Sequence, residues 1–408
     1  MQKAVENNVR WVKNKFYSSD YNLAELRFFQ EKEVEKIHSF QKTHRLFTTT
    51  PLYHLKQLAE YLNVADIRIK DESHRFALNA FKVLGSIYAM AKFIANRIGE
   101  DVESLSFDIL QSEDIKKRLG ELTFISATDG NHGRGVAWAA RELGHQSVIL
   151  LPKGSSLERL NAIRNEGAKA KITDLNYDHT VRMCAKLANE NGWILVQDTA
   201  WQGYEEIPLW IMQGYATIAR ETAMQLKESN AEPPTHVFLQ AGVGSFPAAI
   251  AACMIEYFHE RPPHIVIVEP NQADCFYRSF SNDEGKREIV EGEMNTIMAG
   301  LACGEPNTIA YHILRQYAIG SISCDDSIAA LGMRMYGNPL KNDPRIIAGE
   351  SGAVSLGLLH SLRMDQKVEN ICYELGLNAN SRVLLINTEG DTDPAFYRKI
   401  VWEGAYPK

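Results

Sequence analysis

Four short segments in fixed order carry residue types that do chemistry together: Asn79-Ala80-Phe81-Lys82, Thr128-Asp129-Gly130-Asn131-His132-Gly133, Gln240-Ala241-Gly242-Val243-Gly244-Ser245 and Thr388-Glu389-Gly390-Asp391-Thr392-Asp393. A lysine amine condenses with an aldehyde, a glycine-rich turn holds a phosphate on its backbone, and a hydroxyl faces a ring nitrogen. Those are the requirements of pyridoxal phosphate. Each segment alone has an ordinary explanation, because most lysines are solvated and Thr, Asp, Asn and Gly are usual in turns and helix caps. The weight lies in the combination.

Lys82 precedes an amphipathic run, Val83 to Ala95, so its amine projects from a helix start. The positive helix end and desolvation there both favour the neutral nucleophile over the ammonium. Thr128 to Gly133 sits between an apolar strand and a helical run, where its amides and the Thr128, Asn131 and His132 side chains can hold a substrate carboxylate and a cofactor oxygen. Gly242 and Gly244 let the backbone bend around an anion, with the Ser245 hydroxyl beside it. This turn lacks the third glycine of a dinucleotide fingerprint and the Gly-Lys-Ser/Thr of a nucleotide loop, so a single phosphate fits it better. Thr388, a neutral hydroxyl at a strand end, leaves a ring nitrogen largely unprotonated, which suits β-elimination. Asp198 adds a second carboxylate at a strand end, with a turn cap as its plainer role.

The elements that must position these residues alternate. From about Ile67 short apolar runs alternate with longer amphipathic ones, the pattern of a parallel sheet with helical crossovers. Strands are expected at Ile67–Lys70, Leu122–Ser126, Ser147–Leu151, Ala170–Thr173, Ile194–Gln197, His236–Gln240, Ile265–Glu269 and Val383–Asn387. Ser155 to Glu158 has capping-box spacing and predicts a helix running toward Gly167. The charged run Phe28 to Leu46 reads as a surface helix and Ile98 to Gly120 as a peripheral insertion. No Pro/Gly/Ser linker marks a boundary, which suggests that one domain is inserted in the other.

The chain of 408 residues and 46.0 kDa exceeds usual single-domain size, and 45% hydrophobic with 23% charged residues is the balance of a globular enzyme. A net charge of −7 argues against a nucleic-acid partner. No stretch has the length and apolarity of a secretory signal or a membrane span, so a cytoplasmic enzyme with no membrane partner is expected. The six cysteines have no CxxC spacing and the histidines no HExxH, so no metal is indicated.

With these segments in this order the chain resembles the fold-type II pyridoxal phosphate enzymes, the group of threonine and serine dehydratases. It is most similar to the diaminopropionate ammonia-lyase family, through T-D-G-N-H-G-R-G-V-A-W-A-A at 128–140, Q-D-T-A-W at 197–201, I-M-A-G-L-A-C-G-E-P at 297–306, N-D-P-R-I-I at 342–347, G-E-S-G-A-V at 349–354 and T-E-G-D-T-D at 388–393. The resemblance runs from about Thr50 to Trp402. It implies an α/β fold of two open, twisted, mostly parallel sheets flanked by helices, like tryptophan synthase β. It implies a large cofactor-binding domain of residues 1–89 and 216–408, and a small inserted domain of 90–215 that closes over the substrate. It also implies a homodimer that turns 2,3-diaminopropionate, a small amino acid, and water into pyruvate and two ammonia molecules through an aminoacrylate.

Position by position, Lys82 then holds the cofactor, Asn131 its ring oxygen, Gly242, Val243, Gly244 and Ser245 its phosphate, and Thr388 faces its nitrogen. Thr128, Asp129, Gly130 and His132 form the substrate side. Asp129 stands where the dehydratases have serine or another small residue, and Leu84 where they often have arginine. A carboxylate at 129 suits a substrate whose β-carbon carries an ammonium group, and it can remove the α-proton from one face while Lys82 serves the other. Asp198 is the next candidate base. A serine or threonine dehydratase, a nicotinamide-dependent oxidoreductase and a non-catalytic binding protein are the competing readings. The missing third glycine speaks against the oxidoreductase and the lysine against mere binding.

Overall fold

The computed structural model describes residues 8–22, 26–128 and 130–407. Its strands are β1 (Val9–Lys13), β2 (Leu52–His54), β3 (Asp66–Asp71), β4 (Thr123–Ala127), β5 (Gln146–Leu151), β6 (Lys169–Ile172), β7 (Ile194–Leu195), β8 (His236–Gln240), β9 (His264–Pro270), β10 (Ala318–Cys324) and β11 (Arg382–Asn387). They form a seven-stranded sheet in the order β1-β10-β9-β8-β11-β3-β2 and a four-stranded sheet in the order β6-β5-β4-β7. All pairings are parallel except those of the two edge strands, β1 with β10 and β2 with β3. Helices and loops supply the crossovers, and both faces of the larger sheet are buried in apolar clusters.

The inner strands fall within a residue or two of the expected positions. Three strands were not expected. β1 and β2 are short, half-polar edge strands, and β10, Ala-Ile-Gly-Ser-Ile-Ser-Cys, buries small polar residues that mute its apolar signal. The expected cap at Ser155 moves one residue on. The Ser155 hydroxyl donates to the Pro152 carbonyl at 2.8 Å, and Ser156 accepts from the Arg159 amide to start the helix Leu157–Asn165. The charged run near Phe28 is the helix Glu31–Lys42, but Val34, Ile37, His38, Phe40 and Gln41 are buried, so it is a packed element and not only a surface one. The Ile98–Gly120 excursion folds as three short helical turns that bury Val102, Phe107, Leu110 and Ile115.

Two features fix the site in space. The helix Val83–Ile98, which begins next to Lys82, crosses the long helix Glu206–Glu228 at a glycine contact: a Cβ on Gly214 would lie 2.3 Å from the Leu84 carbonyl oxygen. Buried Gln41 donates to the carbonyls of Leu84 and Gly214 at 2.9 and 3.2 Å, and so binds both helices. The chain between β3 and Lys82 is anchored by a buried charge cluster in which Arg75 meets Glu72 at 2.8 Å and Glu221 at 2.7 Å, and Lys70 meets Glu221 at 2.7 Å. Four charges of balanced sign with their hydrogen bonds made are tolerated inside a protein where a lone one is not.

Candidate active site

The site lies where loops leave the carboxyl ends of strands in both sheets, the usual crevice of open α/β folds. From β3 the chain runs through Phe76, Ala77 and Asn79, all at positive φ, to Lys82. The loop after β11 is zipped to it. The Phe81 amide donates to the Thr388 carbonyl at 3.2 Å, the Gly390 amide to the Asn79 carbonyl at 3.0 Å, and Ala80 bridges Glu389. A Cβ on Gly390 would stand 2.0 Å from Asn79 Oδ1, so any other residue there must displace the Asn79 side chain.

Lys82, Asn131, Asp198, Gly242, Val243, Gly244, Ser245 and Thr388 line one cleft. Lys82 Nζ donates to Asp198 Oδ2 at 2.8 Å. The expected desolvated neutral amine is therefore met by a carboxylate partner instead. Burial works against the Asp198 charge, but the Lys82 ammonium and then His132 overcome it and hold the carboxyl well below its ordinary range. Tyr177 also reaches Asp198 Oδ1, at 3.4 Å, and accepts from Gln197 Nε2 at 2.9 Å.

The glycine turn fits a phosphate closely. It opens the helix Ser245–Tyr257, so the first amides of a 13-residue helix face the cleft. Gly244 has φ of +93°, and a Cβ there would lie 2.3 Å from the Phe276 ring; at Gly242 it would crowd Cys303 Sγ and the Gly300 carbonyl at 3.2 Å. The Ser245 hydroxyl has another task. It donates to the Asp198 carbonyl at 2.5 Å and accepts from Asn307 Nδ2 at 2.7 Å, tying this turn to the loop after β7.

Across the cleft, Gln240 Nε2 donates to Thr388 Oγ1 at 3.1 Å and to the Ile386 carbonyl at 2.9 Å. With a lone pair of Thr388 engaged, its own O–H is available to donate, which is the arrangement an unprotonated ring nitrogen accepts. A buried hydroxyl at the end of β11, a helix-start amide cradle and a lysine with 15% of its side chain exposed form a set that fits pyridoxal phosphate.

The substrate-side loop divides. Asn131 lines the cleft. Thr128 is buried behind it, its hydroxyl accepting from the Gly130 and Gly133 amides, both at 2.8 Å, which shapes the turn. His132 is buried too, with Nε2 2.9 Å from the Val196 carbonyl and Nδ1 3.9 Å from Asp198. Gly130 adopts φ of +154°. Asp129 lies outside the described residues. The structure adds Phe81, Tyr215, Gln240, Cys303, Ser351 and Glu389 to the cleft wall. Phe81 and Gln240 stand in the segments at 79–82 and 240–245, and Cys303, Ser351 and Glu389 in the motifs at 297–306, 349–354 and 388–393, where no single residue announces chemistry; Tyr215 lies in none of them. All six cysteines are free thiols and buried.

The family model for the pyridoxal-phosphate dependent enzymes matches residues 44–375. Diaminopropionate ammonia-lyase of Salmonella typhimurium is 50% identical over 367 residues, 90% of this chain and 91% of that protein. The Escherichia coli K12 enzyme of the same name is 48% identical over 96% of each. The crystal structure of the holo form from Escherichia coli superposes with a TM-score of 0.91 over 98% of both chains at 46% identity. That of the same enzyme with an aminoacrylate–PLP azomethine intermediate superposes with a TM-score of 0.89, at 46% identity and 98% of both chains. A tomato threonine deaminase at 19% identity and a TM-score of 0.71, over 97% of both chains, shares the fold.

Proposed function

Because the chain belongs to the diaminopropionate ammonia-lyase family of pyridoxal-phosphate dependent enzymes, we propose that it eliminates ammonia from 2,3-diaminopropionate, through an aminoacrylate, to give pyruvate and a second ammonia. It is a carbon–nitrogen lyase that uses pyridoxal phosphate. The observation that carries the reading is Lys82, held 2.8 Å from Asp198 in a cleft whose other walls are the glycine turn and the Thr388 hydroxyl.

When bound, the cofactor draws off the electrons freed at the substrate's α-carbon. Lys82 holds it through Nζ and, once released, moves a proton at that carbon. The amides of Gly242 to Ser245 hold the phosphate, Asn131 donates to the ring oxygen, and Thr388 donates to the ring nitrogen. Asp129 receives the β-ammonium group and takes the α-proton of one enantiomer. Thr128, Gly130 and His132 shape the turn that receives the substrate carboxylate. Asp198 orients the Lys82 amine and is its proton partner. The β-nitrogen leaves as neutral ammonia, so it must be protonated at departure. A larger domain of residues 1–89 and 216–408, with 90–215 closing over it, completes the reading, together with a homodimer in the cytoplasm. No helix among the described residues is long and apolar enough to cross a membrane.

Borohydride reduction of the yellow protein tests this directly: label fixed at Lys82 and pyruvate formed from D- or L-diaminopropionate in preference to serine are expected. Lys82→Ala is expected to fold and to lose turnover. Wild-type ammonia release by that variant, or a preference for serine, ends the reading.

A further inference from the structure

We propose that Glu389 is a positioning residue that acts through Asn131, fixing which end of the Asn131 amide faces the cleft and so aiming an N–H at the ring oxygen of the bound cofactor. The inference rests on the reading of Lys82 and Asn131 given above.

Glu389 is 4% exposed and lines the cleft beside Thr388. Its Oε2 accepts from Asn131 Nδ2, and its Oε1 accepts from the Ser351 amide at 3.1 Å, in the first turn of the helix Glu350–Met364. Its own backbone is pinned on two sides: Ala80 bridges it, and its carbonyl accepts from the Gly349 amide at 2.9 Å. The carboxylate therefore has a fixed place from which to act.

An asparagine amide has an oxygen and an NH2 group of nearly equal size, so shape alone does not choose between its two orientations. An ionised carboxylate does choose, because it only accepts. With one amide hydrogen bound to Glu389, Asn131 keeps a second hydrogen on the same nitrogen to offer to the cleft it lines. Glu389 has the bonding of that role. Both of its oxygens accept N–H groups, as an ionised carboxylate does, while burial and then the Glu389 charge push the neighbouring Glu350 carboxyl up, against the pull of Arg159. Glutamine at 389 donates as readily as it accepts, and the choice is lost.

The test is a double-mutant cycle on the holoenzyme with Asn131→Ala, Glu389→Gln and the double variant. It begins with borohydride labelling of the wild type. The readouts are the ratio of the cofactor's long- and short-wavelength absorption bands, its dissociation constant, and kcat against KM. Glu389→Gln is expected to change the band ratio and to weaken cofactor binding by about tenfold, the value of a hydrogen bond to a charged group. In the Asn131→Ala background the same change is expected to matter by less than about twofold. Label on Lys82 with fully additive effects, or a Glu389→Gln spectrum that overlays the wild type, overturns the role of Glu389 alone. Label elsewhere overturns the cofactor reading and this inference with it. Should Glu389→Gln fail to fold, a neutron crystal structure of the wild-type holoenzyme, which sees the amide hydrogens, decides: Nδ2 shared between Glu389 and the ring oxygen upholds the role, and an amide turned the other way ends it.

Discussion

Replacing Asp129 with asparagine keeps the side chain's size while removing both its charge and its basicity. If the carboxylate only binds the β-ammonium, both enantiomers of diaminopropionate lose affinity alike. If it also takes the α-proton, turnover of one enantiomer falls by about a hundredfold or more while the other retains Lys82. Unequal loss of kcat is the expected result in steady-state assays with each enantiomer, and equal loss moves the second base to Asp198. Much at this scale was legible. Lys82, the glycine turn and Thr388 stand in loops just after strands, where chemistry collects, and their types limit what they can do. Less legible were bonds that depend on which loops meet. Gln240 reads as the end of an apolar strand, and its bond to Thr388 follows from β8 lying beside β11. The Ser245 hydroxyl, expected at an anion, instead closes on Asp198 because loops from the two sheets converge there.

The crossing of the helices Val83–Ile98 and Glu206–Glu228 leaves no room for a methyl group. Gly214→Ala would set a carbon against the Leu84 carbonyl and Gly85, which are backbone and cannot rotate aside. A cost of about 1–3 kcal/mol in denaturant unfolding is expected from this overpacking. A fall in kcat is expected with it, because the displaced helix begins next to Lys82. His38 gives a second test at the same scale. Buried against the Phe47 ring, with neither ring nitrogen hydrogen-bonded, it is held neutral: burial, then Arg220, pull it from 6.5 down to about 4, against Glu221. Between those values the unfolded chain binds a proton that the fold refuses. The stability contributed is therefore full above about pH 6.5 and is lost as pH falls toward 4. His38→Leu is expected to reduce the acid-induced loss over that window by at most about 3 kcal/mol, read as a flatter dependence of the urea midpoint on pH. Neither feature was visible beforehand. The helix of His38 looked like a surface run because its charges crowd together, and its buried face appears only against the helix Glu206–Glu228.

Across the whole molecule, the cleft draws Asn131 and Asp198 from the four-stranded sheet and Gly242 and Thr388 from the seven-stranded one. Closure of the smaller unit on the larger is expected to exclude water while the aminoacrylate forms. Limited proteolysis of the holoenzyme should slow when a substrate analogue is added, and equal rates with and without it count against closure. The larger sheet also has an order of manufacture. β11, latest in the chain among the described strands, lies between β8 and β3, with Leu384 beside Arg68 on one side and Val237 on the other. A chain growing from the ribosome can pair β8 with β9 early, yet β3 and β8 keep facing open edges until residues 382–387 emerge and slot between them. The centre of this sheet is thus its last part to be made, and Thr388 arrives with it. A message cut short before that point would release not a trimmed enzyme but two separated half-sheets, each offering a bare strand edge to whatever chain lies nearest.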